Sequence, residues 1–197
     1  YQDFVADETS RLTDWNRRFD MAEIFENAEP NAAHHVLGQL AREGHLEMLI
    51  TQNVDGLHQR AGVPGERLVE LHGNSTYATC LDCGARADLE AQREKVGSGQ
   101  SPLCSSCGGL LKAAVISFGQ MMPEDELVRA ARAAQACDRF IVIGSSLVVH
   151  PAAQLPVLAV QSGAELVIVN RESTPLDSLA SACIRTPIAQ SFEEIFR

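Results

Sequence analysis

The chain has 197 residues, 45% hydrophobic and 21% charged, which leaves room for one main core plus a small appended module at roughly 150 residues per domain and is too apolar for a disordered segment. Its 16 Lys and Arg against 26 Asp and Glu give a net charge of −10 with no block of one sign, which argues against nucleic acid as direct ligand and against a polybasic membrane patch, whereas a basic peptide is electrostatically welcome. No apolar run approaches the roughly 18 residues of a membrane span.

Residues 1–30 read as helical and irregular, with Trp15 and Phe19 one turn apart and Phe25 further on. The opening Tyr1-Gln2-Asp3-Phe4-Val5 has neither the basic start nor the apolar segment of a signal peptide, and no initiator Met, so the expectation is that something N-terminal is missing. Asn31 to Arg42 is an amphipathic helix with Val36, Leu37, Leu40 and Ala41 on one face and Gly44 as its C-terminal stop. It feeds a strand at His45 to Thr51.

Between Tyr77 and Leu111 the pattern changes to Cys, Gly, Ser and Pro, too poor in large hydrophobes to fold around a core of its own. Cys80-x2-Cys83 and Cys104-x2-Cys107 supply another source of stability, because two such pairs close a tetrahedral thiolate site for zinc. Gly84, Gly108 and Gly109 let each pair turn both sulfurs onto one ion. Four thiolates leave no position for water, so the zinc is structural. Disulfides or four unrelated core cysteines are the other readings; the absence of secretory features and the core-poor setting weigh against them. Cys137 and Cys183, in apolar contexts, read as buried thiols.

Further on, helical patterns at Val128 to Cys137 and Ala152 to Ser162 alternate with β-rich runs at Arg139 to Ser145 and Ala164 to Asn170. That rhythm is βαβ and predicts an α/β fold with a parallel sheet, which the His45 to Thr51 strand is expected to join.

Three polar clusters sit just past predicted strands: Thr51-Gln52-Asn53-Val54-Asp55-Gly56, Gly144-Ser145-Ser146 and Asn170-Arg171-Glu172. Any one of them alone reads as an ordinary turn. All three at the carboxyl edge of an open sheet mark a ligand site, with Gly144, Ser145 and Ser146 suited to a phosphate or ribose and Asn170 and Glu172 to ribose hydroxyls. His72, followed by Gly73, is the candidate general base, although a lone His in such a place also reads as structural. The His34-His35 doublet reads as structural.

Taken in order, Pro30-Asn31-Ala32-Ala33-His34, Thr51 to His58, Glu70-Leu71-His72-Gly73-Asn74, the four cysteines, Ile116-Ser117-Phe118-Gly119-Gln120, Gly144 to Val149 and Asn170-Arg171-Glu172 resemble the bacterial sirtuins, NAD-dependent protein-lysine deacylases, over almost the whole chain. The resemblance implies a Rossmann-like NAD-binding domain with a small zinc-ribbon and helical module, and the active site in the cleft between them. The expected division is 1–44 as the helical part and lead-in, 45–76 and 112–197 as the NAD-binding domain, and 77–111 as the ribbon.

By that resemblance His72 is the base that activates a hydroxyl of the nicotinamide ribose, Gln52 and Asn53 contact that ribose, and Asp55 holds the carboxamide. Gly144, Ser145 and Ser146 line the nicotinamide-ribose and phosphate end, and Asn170 and Glu172 hold the adenosine ribose. The acyl-lysine protein or peptide adds as a strand between Phe118-Gly119-Gln120 and Leu147-Val148-Val149, with Val115 and Phe118 walling the acyl tunnel. NAD is consumed, giving nicotinamide, free lysine and O-acyl-ADP-ribose. A cytoplasmic monomer or weak oligomer, with no nucleic acid or membrane partner, is expected.

The family's opening Gly-Ala-Gly-x-Ser loop and a later Phe-Arg have no counterpart here, which points to an incompletely represented protein. It also keeps a catalytically inactive NAD-sensing scaffold open, beside protein ADP-ribosyl transfer. Gln120 stands where many relatives carry Glu, and Ala113-Ala114 replaces a Pro-acid pair. Succinyl- and malonyl-removing members carry a Tyr-x-x-Arg pair; Asp14-Trp15-Asn16-Arg17-Arg18 has Arg without a correctly spaced Tyr, so a neutral acyl group is expected.

Overall fold

In chain order the computed structural model, which describes residues 1–195, runs α1 (Gln2–Ala6), α2 (Glu8–Glu26), α3 (Ala32–Arg42), β1 (Leu49–Thr51), α4 (Leu57–Arg60), β2 (Leu68–Glu70), β3 (Gly73–Cys80), β4 (Arg86–Asp88), α5 (Arg93–Gly97), β5 (Leu111–Val115), α6 (Glu124–Ala136), β6 (Arg139–Ile143), α7 (Gln154–Gln161), β7 (Glu165–Val169), β8 (Ala182–Ile184) and α8 (Ile188–Ile195). The chain divides into two compact units.

The first unit comprises Tyr1–Glu29, Gln52–Gly56 and His72–Met122. Its sheet is antiparallel, in the order β4-β3-β5. Asp7 caps α2 by accepting from the Ser10 amide at 2.7 Å, which starts the helix and aims Trp15 and Phe19 inward. Those rings pack with Phe4, Ala78, Leu89, Val96, Leu111 and Ala113 and with the cysteines Cys80 and Cys104. The ribbon's shortage of large apolar residues is therefore met by α2, which supplies an aromatic pair with centroids 5.7 Å apart.

The second unit comprises Pro30–Thr51, Leu57–Leu71 and Pro123 to the end of the described chain. Asn31 and His34 form a reciprocal capping box at the start of α3, which gives His34 a structural role, and Gly44 stands at φ +82° after the helix. Two parallel ladders follow, β1-β2 and β6-β7-β8. The expectation that β1 would join the strands of the later βαβ units is corrected: among the described residues its partner is β2, paired from Leu49↔Leu68 to Thr51↔Glu70.

The division differs from the expected one over four segments: residues 30–44 join the second unit, and residues 52–56, 72–76 and 112–122 join the first. Residues 30–44 belong with the parallel strands, because the apolar face of α3, through Leu37 and Ala41, packs on Leu49, Val63 and Leu68. Residues 72–76 and 112–122 belong with the ribbon, because β5 pairs with β3. Phe196 and Arg197, within the span expected as NAD-binding domain, lie outside the described residues. The two remaining cysteines also depart from expectation: Cys137 is half-buried, and Cys183 is exposed because β8 is an edge strand.

Candidate active site and metal centre

The metal centre is built from two backbone turns of the same design. In the first, the Gly84 amide donates to the Cys80 carbonyl at 3.0 Å and the Asp82 amide to Cys80 Sγ at 3.4 Å. The second repeats this, with the Gly108 amide on the Cys104 carbonyl at 2.9 Å, Ser106 N on Cys104 Sγ at 3.4 Å and Gly109 N on Cys107 Sγ at 3.4 Å. All four sulfurs fall within 4.8 Å of one another, with Cys80···Cys107 at 3.5 Å and Cys83···Cys104 at 3.7 Å. A tetrahedron with Zn–S of about 2.3 Å has sulfur–sulfur edges of about 3.8 Å.

Electrostatics agree with that fit. The Ser106 and Cys107 amides pull the Cys104 thiol down to about 6. At Cys107 the Gly109 amide also pulls down, but the crowding of Cys83 and Cys80 outweighs it and pushes the thiol up to about 12. Four sulfurs this close need a dication before all four can ionise. Cys80, Cys83, Cys104 and Cys107 thus fit zinc and would hold it without an open position.

His72 lies in the first unit, between β2 and β3, and its Nδ1 meets the Gln52 carbonyl at 3.0 Å. A carbonyl only accepts, so Nδ1 carries a proton, and in the neutral ring the lone pair is then on Nε2, the tautomer of a general base. The loop that carries Gln52, Asn53 and Asp55 is tied to β3 by Ser75, whose amide and hydroxyl both donate to the Val54 carbonyl at 2.8 and 2.6 Å. Gln52 and Asp55 are half-buried and Asn53 is exposed.

In the second unit, Gly144 ends β6 at φ +63°, a left-handed turn that favours glycine, and a Cβ there would press on the end of the Ile188 side chain at 2.9 Å. Ser145 Oγ accepts from the Leu147 amide at 3.3 Å, and Leu147 itself sits at φ +56°, a conformation non-glycine residues rarely hold. Ser146 is exposed. Past β7, Asn170 Nδ2 donates to the Glu172 carbonyl at 2.9 Å. Arg185 fastens the same turn, donating to the carbonyls of Asn170 and Glu172 at 2.8 Å each while its other nitrogen meets Asp177.

Of the residues expected to meet a peptide, Phe118 and Gly119 are exposed, and the Gln120 side chain turns back to accept from the Ser117 amide at 3.2 Å. Val115 is buried. Val148 and Val149 are exposed, but Leu147 packs into a core cluster with Val142, Leu166 and Ile168, which leaves its backbone alone to meet a ligand. Sequence reasoning missed Ser75, Arg185 and the buried Lys112. Arg185 had a signal, a lone cation just past an apolar run at the sheet's carboxyl edge; Lys112 had only its apolar flanks.

Residues 2–151 match the family model described as the Sir2 family. The chain belongs to the Sir2 family. NAD-dependent protein deacetylase 1 of Bradyrhizobium diazoefficiens is 46% identical over 191 residues, 97% of this chain and 75% of the relative. NAD-dependent protein deacetylase 2 of Streptomyces coelicolor is 41% identical over 198 residues, 100% of this chain and 81% of the relative. A solved structure of Sir2 with a p53 peptide and NAD+ superimposes with a TM-score of 0.79 at 38% identity, covering 87% of this chain and 70% of that one. Another, of Sir2 bound to an acetylated peptide, gives 0.80 at 38% identity over 87% and 71%. This sirtuin carries His72, the three polar clusters and the four cysteines on a Rossmann-like parallel fold with a cysteine ribbon. No helix among its described residues is long and apolar enough to cross a membrane.

Proposed function

We propose that this sirtuin is an NAD-dependent protein-lysine deacetylase in which His72 is the general base. The observation that carries the assignment is the Nδ1–H bond from His72 to the Gln52 carbonyl at 3.0 Å, which leaves Nε2 to take a proton from a ribose hydroxyl of NAD. NAD supplies the electrophilic ribosyl carbon as nicotinamide departs, and the acyl oxygen of the substrate is the nucleophile. One water is consumed to release the lysine amine, so that the products are nicotinamide, free lysine and O-acyl-ADP-ribose.

Gln52 and Asn53 orient the nicotinamide ribose and Asp55 the carboxamide. Gly144, Ser145 and Ser146 take the ribose and phosphate end, and Asn170 and Glu172 the adenosine ribose. Pairing of the substrate through the backbone at Phe118-Gly119-Gln120 and Leu147-Val148-Val149 makes affinity tolerant of peptide sequence. A neutral acyl group fits best, since Arg18 already faces Asp14 at 3.7 Å and Trp15 lies in the core. Zinc on the four cysteines holds the ribbon and takes no part in the chemistry. A cytoplasmic setting belongs to this reading, because those thiolates must stay reduced.

Mass spectrometry of an acetyl-lysine peptide incubated with the chain, with and without NAD and beside His72→Ala, tests the assignment. NAD-dependent loss of acetyl that disappears in the variant is expected. ADP-ribose transferred to protein with acetyl-lysine intact, or a His72→Ala variant as active as the parent, overturns it.

A further inference from the structure

The first unit hides a lysine that the proposed chemistry does not use. Lys112, in the middle of β5, is 1% exposed, and its ammonium donates to the carbonyls of Ala113, at 3.4 Å, and Val115. The Phe4 ring lies beneath it, 5.9 Å from Nζ to the centroid. Burying a cation is costly, and a Met or Leu of similar volume would fill the same space without that cost. Packing alone therefore does not explain a lysine here.

The place it holds is the joint between β3 and β5. The ladder is regular from Cys80↔Leu111 to Ala78↔Ala113 and then loses register, so that Asn74 to Tyr77 face Ala114 alone before pairing resumes at Gly73↔Val115. Gly73, at φ +76°, presses so close that a Cβ would stand 1.9 Å from the Ala114 carbonyl oxygen. At the far side of this irregular stretch, the Ile116 amide donates to the His72 carbonyl at 2.9 Å. One peptide group, Val115–Ile116, thus accepts from Lys112 through its oxygen and donates to His72 through its nitrogen.

We propose that Lys112 is a positioning residue for His72, its buried ammonium fixing the Val115–Ile116 peptide group that in turn fixes the His72 backbone. A charge-assisted bond on the carbonyl polarises that peptide group and strengthens the bond from its N–H. The same group leads directly into Ile116 to Gln120, so the clamp also sets where that loop begins. The proposal rests on His72 acting as the base.

Lys112→Met removes the cation at similar volume, and Lys112→Gln restores a neutral donor. A misplacement of about 1 Å at a reacting group costs on the order of 100-fold. For Lys112→Met, kcat for acetyl-peptide is expected to fall by about 10- to 100-fold while zinc content is unchanged, and Lys112→Gln to recover to within about threefold of the parent. Hydrogen exchange at the Ile116 amide should quicken in the Met variant while that at Ala78, in the regular part of the ladder, does not. A Met variant with kcat within twofold of the parent, or a kcat loss without faster exchange at Ile116, overturns the clamp.

Should Lys112→Met fail to fold, the parent protein still decides the matter. The sequence has only two lysines, Lys95 and Lys112, so 15N-lysine labelling gives two side-chain signals. The clamp requires one of them to show slowly exchanging Nζ protons, and two fast-exchanging signals refute it. An inactive parent would fail the functional reading instead, and exchange at Ile116 would still judge the clamp.

Discussion

Raising the pH should stabilise the first unit, and Lys112→Met should abolish that gain. Burial, with Arg18 adding to it and Asp14 partly opposing it, brings the Lys112 ammonium from 10.5 down to about 8. The gap of 10.5 − 8, about 2.5 on the pH scale at roughly 1.36 kcal/mol each, makes the burial cost about 3 kcal/mol wherever folded and unfolded chains are both protonated, that is, below about pH 8. Between about 8 and 10.5 the unfolded chain binds more protons than the folded one, so unfolding free energy rises with pH. Integrated from pH 7 to 9.5, that rise is about 2 kcal/mol. Denaturant unfolding followed by Trp15, the chain's single tryptophan and a core residue of this unit, reads the effect directly. Other titrating groups cancel when the parent is compared with Lys112→Met at both pH values. Parallel stability–pH curves for the two proteins would show that burial does not tax this ammonium as argued.

Chelating the metal should unfold the ribbon and disturb Trp15, which shares a core with Cys80 and Cys104; a red shift in its emission, reversed by zinc, is the expected reading, and the metal should be lost more readily as protons compete for the thiolates at lower pH. Gly144→Ala forces a Cβ into a left-handed turn, at about 1–2 kcal/mol, so NAD affinity measured by calorimetry should weaken on the order of tenfold while the ribbon keeps its zinc. Arg185→Met removes two bonds that hold the Asn170–Glu172 turn; the KM for NAD should rise about three- to tenfold, with the KM for peptide unchanged. Equal changes in both KM values would place Arg185 in general stability instead.

The elements that sequence reasoning placed best are those where local chemistry decides. The cysteine spacing and its glycines predicted a metal centre whose sulfurs are now found within 4.8 Å, because such turns are made by neighbouring backbone atoms. The helix at Ala32–Arg42 and the strands at Arg139–Ile143 and Glu165–Val169 followed from apolar periodicity for the same reason. Partnership was harder. That Leu49–Thr51 pairs with Leu68–Glu70, or that residues 112–122 go with the ribbon, depends on contacts between distant segments that no local pattern encodes. At the candidate site, His72 and the polar clusters were readable as residue types, but their supports, Ser75 and Lys112, were not, because the groups they steady, the Val54 loop and His72, lie on segments distant from them in sequence. Cys183 shows the converse error, since an apolar neighbourhood in sequence does not reveal that its strand lies at an edge.

The sealing of Lys112 also bears on what this chain can do to itself. Lysine ε-amines are the groups its proposed reaction uncovers, and these 197 residues hold two of them, Lys95 exposed and Lys112 with 1% of its surface open. Reactive acyl donors that modify amines without an enzyme need an accessible, unprotonated nitrogen, so of the two lysines Lys95 is the one such donors can reach on the folded protein. Its 14 remaining cations are arginines, which keep their charge and take no acyl group under the same conditions. Over these residues the folded protein therefore offers its proposed reaction a single accessible lysine, Lys95.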